Sequence, residues 1–224
     1  MSFSDAVWER TGYGTLSKQL YSFLVCGWTA IGVATSAWAS SISHDWELNW
    51  VILLGVLAVA IAGVFVSTMN DNPVLSFLGY MMITIPFGLM LGPVVALYTE
   101  ASVFKVFFLT TIVVVSLGFV GATIPDSLDS WAGPLLGGLL LLLGGLFIVP
   151  LAGFFGFPVR AAMTVLDWVG LLLFGALVIF DLNRAMRIPY TMDNAIDSAV
   201  GIYLDIANIF IRLLSLFGVK VKSD

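Results

Sequence analysis

The chain has 224 residues, of which 60% are hydrophobic and 10% charged, against about 45–50% and 25% in soluble domains. So little charge cannot cover so much apolar surface, which excludes a water-soluble globular fold and places the chain in a bilayer. With 9 basic against 14 acidic residues and a net charge of -5, the balance is against nucleic acid and against polybasic recognition of anionic lipid, and suits a protein that meets cations.

Residues 1–19 are polar and mixed in charge, holding Asp5, Glu9, Arg10 and Lys18. They are too long and too acidic for a cleaved leader, so the apolar run that follows reads as a true span. Successive apolar stretches fall at 20–42, 48–69, 74–98, 103–124, 132–153, 160–182 and 196–217, each near the length that crosses a bilayer as a helix. The separators carry turn formers such as Asn70-Asp71-Asn72-Pro73. Trp46, Trp50, Tyr98 and Trp131 stand beside them, where amphipathic rings favour the headgroup layer. Runs such as Leu139 to Leu143 are apolar at every position, which excludes an alternating β-barrel. The expected architecture is an all-α integral membrane protein. It has a polar tail at 1–19, a compact bundle of seven transmembrane helices over 20–218 and a short tail at 219–224, with no separate soluble domain.

Gly88 with Gly92, Gly133 with Gly137, and the pairs Gly137-Gly138 and Gly144-Gly145 let helices approach closely and read as packing inside the bundle. Pro86, Pro93 and Pro150 lie within spans, where they kink helices or free carbonyls. Basic residues do not orient the chain. If every segment crosses, Arg10, Lys18, Arg184 and Arg187 face Lys105, Arg160, Lys220 and Lys222, a tie of four against four. If the last segment re-enters instead, the N-terminal face holds six against two. That segment therefore either crosses fully or turns back as a short helix.

Cys26 is the sole cysteine and His44 the sole histidine, which excludes an internal disulfide, a CxxC redox pair, a cysteine-ligated zinc or iron–sulfur site and a His-based metal cage or haem pair. The polar chemistry gathers in the last two helices. Ser198, Gly201, Asp205, Asn208 and Arg212 recur at steps of three and four, which stacks them on one helical face. Asp205 is central in its span, where a carboxylate without a role carries a penalty of about 2.5–3.5 kcal/mol. Arg212 either snorkels outward or pairs with an acid on a neighbouring helix. The sixth helix has Asp167 near its start and Asp181 near its end, separated by about 40° around the axis.

Phe180-Asp181-Leu182 resembles the sixth-helix ending of the Bax inhibitor-1 (transmembrane Bax inhibitor motif) family, and Ile202-Tyr203-Leu204-Asp205-Ile206-Ala207-Asn208-Ile209-Phe210 resembles its last-helix signature. Asn72-Pro73-Val74-Leu75 and Gly88-Leu89-Met90-Leu91-Gly92-Pro93 are similar to its third helix. The resemblance runs from about residue 70 to 218. It implies a seven-helix protein of a bacterial-type inner membrane or an organelle membrane, with its N-terminus in the cytoplasm, that leaks Ca²⁺. It also implies that Asp181 and Asp205 form a pH-sensing pair, with Ca²⁺ as permeant ion and no cofactor. Two close carboxylates in a poorly hydrated site cannot both ionise cheaply and share a proton, and once vacated their oxygens suit Ca²⁺. Asp167, Ser198, Gly201, Asn208 and Arg212 then line the path or support the pair.

Two features of this sequence bear on that expectation. The spans place Asp181 and Asp205 about 13 Å apart in depth, so pairing requires the last helix to start later or sit differently. Relatives often carry a basic residue near the end of the second helix, where this chain reads Met69-Asn70-Asp71-Asn72, so the latch either lacks its cation or takes Arg212 as a substitute. The alternatives are a membrane-embedded regulator that binds a protease or cell-death factor, and a proton-coupled cation transporter. Catalysis is not expected, since neither a Tyr-Asp nor a Gly-x-Gly-Asp motif surrounds either aspartate and no phosphate-binding loop occurs.

Overall fold

The computed structural model describes residues 15–47, 49–69 and 71–221. Most of the expected N-terminal tail (residues 1–14) therefore lies outside the described residues, as do Leu48, Asn70 and residues 222–224. Seven helices follow one another: α1 (Lys18–Ser43), α2 (Trp50–Thr68), α3 (Pro73–Val95), α4 (Glu100–Thr123), α5 (Ala132–Ala152), α6 (Val159–Ala185) and α7 (Met192–Phe217). Each is long and apolar enough to cross a membrane, so the chain is a multi-pass membrane protein.

Local chemistry sets the starts. The Ser17 Oγ accepts from Leu20 N at 3.3 Å, Asn49 Oδ1 from Ile52 N at 3.0 Å and Asn72 Oδ1 from Val74 N at 2.9 Å. These side chains satisfy N–H groups that no helical carbonyl reaches. Pro73 follows its cap directly, where a missing N–H costs nothing. The helix α3 runs on through Pro86 and Pro93, and α5 through Pro150.

The chain divides into two units, one drawn from residues up to 98, 185–203 and beyond 220, the other from 99–184 and 204–220. In the first, α1 and α2 both pack along α3. Small residues make this possible. A Cβ on Gly63 would stand 2.7 Å from the Gly79 carbonyl oxygen, and one on Gly79 would stand 2.5 Å from Ser67 N and 2.9 Å from its Cα. Gly88 and Gly92 meet Ser36 and Ser43 of α1 in the same way. Since backbone cannot yield as a side chain can, Gly79→Ala is expected to lower stability by about 1–3 kcal/mol. Gly27→Ala, with nothing within 4 Å, is expected to be neutral or stabilising. Thermal unfolding of the two purified variants in one detergent makes the comparison.

In the second unit the glycines of α5 divide. Gly138 meets Leu173 and Gly145 meets Leu166, both on α6, whereas a Cβ at Gly133, Gly137 or Gly144 would find nothing within 4 Å among the described residues. Close packing was expected of all of them and holds for Gly138 and Gly145 only.

The last helix begins at Met192, four residues before the apolar run. Its first two turns carry polar residues that are nevertheless buried, with Asp193 3%, Asn194 2% and Asp197 8% exposed. The Thr191 Oγ1 accepts from Asn194 N at 3.1 Å, Asn194 Nδ2 donates to Pro189 O at 2.7 Å, and Ser67 Oγ donates to Asp197 Oδ1 at 2.7 Å. Ser76 Oγ likewise donates to Asp193 Oδ1. These partners let acids enter a buried turn.

Full crossing is the arrangement found for α7. The Leu16 N–H donates to Tyr190 O at 2.7 Å, which sets the start of α7 level with the start of α1. The Val221 N–H donates to Leu97 O at 2.9 Å, which sets the segment after α7 level with the link after α3. Three crossings separate those levels, so α7 runs from one face to the other, and the count of basic residues remains a tie.

Candidate functional site

The second half of α7 carries Asp205, Asn208 and Arg212, and α6 carries Asp167 and Asp181. Asp205 is 4% exposed, and its Oδ2 is buried without a hydrogen-bond partner among the described residues. A buried carboxylate oxygen without a partner is costly in any protein interior. Asp181 is half-buried. The expected offset took the end of α6 and the start of α7 as level and asked the last helix to start later or sit differently; α7 starts earlier instead, at Met192, and the six residues between Ala185 and Met192 are chain enough for roughly 20 Å. Arg184 stands three residues after Asp181 on α6.

Arg212 is not the substitute partner of that pair. Its Nη1 donates to Asp167 Oδ1 at 3.0 Å with both side chains almost fully buried, and Ser215 Oγ donates to Asp167 Oδ2 at 2.6 Å. Each carboxylate oxygen of Asp167 is therefore matched to a donor. A Cβ on Gly170 would stand 2.8 Å from Arg212 Nε, so the missing side chain is what lets the guanidinium lie against α6. Of the two fates open to Arg212, pairing across helices is the one realised.

The remaining stripe residues separate. Asn208 is half-buried and its Nδ2 donates back to Leu204 O at 2.9 Å, one turn earlier on its own helix. Ser198 belongs to the other unit, where its Oγ shares a 3.0 Å hydrogen bond with Tyr21 OH, and Gly201 is half-buried there. Ser198 and Gly201 thus fall in the first unit and Asp205, Asn208 and Arg212 in the second. The Ser67–Asp197, Ser76–Asp193 and Ser36–Tyr203 contacts were not expected. Serines inside apolar spans, with Asp193 and Asp197 four residues apart on α7, were the signal for the first two of them.

Comparison with known proteins places this arrangement. The profile of the family described as "Inhibitor of apoptosis-promoting Bax1" matches residues 14–222. The chain is 26% identical to "Inner membrane protein YbhL" of Escherichia coli strain K12, with 96% of both chains covered. It is 27% identical to "Bax inhibitor 1" of Schizosaccharomyces pombe, with 96% of this chain and 77% of that one covered. A family match that begins before α1 and ends after α7 takes in every helix and both carboxylate-bearing segments, and the chain belongs to the Bax inhibitor family.

Proposed function

We propose that this protein is a calcium-permeable leak channel whose opening follows pH through a proton shared by Asp181 and Asp205. The observation that carries the reading is the buried Asp205 Oδ2, which has no hydrogen-bond partner among the described residues. At low pH one proton serves both groups, and a hydrogen bond between them holds α6 to α7. As pH rises the proton leaves, like charges repel, and up to four oxygens become available to a cation. Resident Ca²⁺ takes six to eight. Two carboxylates therefore hold the ion weakly, which conduction requires. No group of three or more His, Cys, Asp or Glu that would make a tighter cage occurs among the described residues. The N-terminus is proposed to face the cytoplasm.

The sign is thus fixed: flux rises with pH. Liposomes holding the purified protein and an entrapped calcium dye are expected to fill faster at pH 8 than at pH 6. Asp205→Asn is expected to flatten that difference. Absence of flux above empty liposomes at every pH overturns the channel reading and turns attention to bound partner proteins.

A further inference from the structure

A groove of about 380 Å³ runs along the outside of α4 in the second unit, within the range of small-ligand pockets. Its long wall is Ala101, Val106 and Leu109, and its far wall is Phe217. The shape is fixed by hydrogen bonds and ring packing. Thr99 N donates to Val219 O at 2.8 Å, Val219 N donates to Ser102 Oγ at 3.1 Å, and the Phe217 ring meets Trp168 edge-on at 5.8 Å. The groove is mostly apolar, with Thr99, Ser102 and Lys105 as the polar part of its lining.

Lys105 is the charge on this face of α4. It is exposed, and no ion pair or hydrogen bond to it occurs among the described residues. Glu100 lies five residues earlier, on another side of the helix. Lys105 is the sixth residue of α4, about 8 Å in from the helix start, where the headgroup layer gives way to hydrocarbon. Phe104 and Phe108 beside it are 72% and 61% exposed, so this side of α4 faces the bilayer. An occupant must be soluble in lipid along the groove and anionic at the height of the ammonium.

We propose that the groove holds an acyl chain of an anionic glycerophospholipid whose phosphate pairs with Lys105. A single cation beside a preformed apolar slot is a different device from the polybasic surface that the net charge excludes, and it is independent of the aspartate pair.

The test titrates the detergent-solubilised full chain with short-chain phosphatidylglycerol or phosphatidylcholine of equal chain length, counting bound lipid by native mass spectrometry. Phosphatidylglycerol is expected to bind about fivefold more tightly, the ratio one lysine near an anionic surface supplies. Lys105→Gln is expected to bring the two lipids level. Ala101→Phe, which fills the slot, is expected to weaken both while leaving the lipid-free thermal midpoint unchanged. Equal binding of the two lipids to the unaltered protein, binding of neither, or a preference that survives Lys105→Gln overturns the proposal.

Discussion

Asp167→Ala is expected to cost about 3–5 kcal/mol of stability, because it strands the Arg212 guanidinium without an anion in a site that is almost free of water. The pair is so well enclosed that neither partner escapes. Arg212 cannot turn outward without withdrawing from its seat over Gly170, and Ser215 is too short and uncharged to replace the carboxylate. The double variant Asp167→Leu with Arg212→Met removes both charges at similar volume and is expected to recover most of the loss, since a buried ion pair barely offsets its own desolvation. Denaturant or thermal unfolding of the three proteins in one detergent separates the cases. A single variant as stable as the parent would mean that water reaches the pair.

The helices were legible because each apolar run is bounded by residues that cap or turn, and α1, α2 and α5 end within about two residues of where hydropathy alone puts them. The start of α7 was not legible, for a physical reason. Asp193, Asn194 and Asp197 lower local hydropathy exactly as a loop would, and their burial depends on Ser67, Ser76 and Pro189, far away in sequence. Hydropathy counts transfer from water to lipid. It has no entry for transfer to a hydrogen-bonding protein interior. Arg212 had the same problem: the periodicity of α7 put it on the face of Asp205, but only the fold decides which of two acids on α6 its long side chain reaches. Asp205 itself was visible because a carboxylate in mid-span is rare enough to stand out alone. Its missing partner atom was not, because that is a property of everything packed around it.

The pH response of calcium flux supplies the second large effect, and its signature is non-additivity. If Asp181 and Asp205 hold one proton between them, neither titrates as a separate group, and the step in flux between pH 6 and 8 belongs to the pair. Asp181→Asn leaves one carboxylate with no like charge to release it, and Asp205→Asn does the same from the other side. Each single variant is therefore expected to abolish most of the step, and the double variant to add little more, whereas independent sensors would each remove a part and sum. Where the flat line settles carries further information. Asn in place of the protonated acid keeps a donor and an acceptor, so a flux fixed near the pH 6 level means that the hydrogen-bonded latch persists. A flux fixed near the pH 8 level means that loss of the shared proton, and not repulsion, opens the path. Single variants that each retain about half the step would refute the shared proton outright, because two groups that divide a response do not act through one proton.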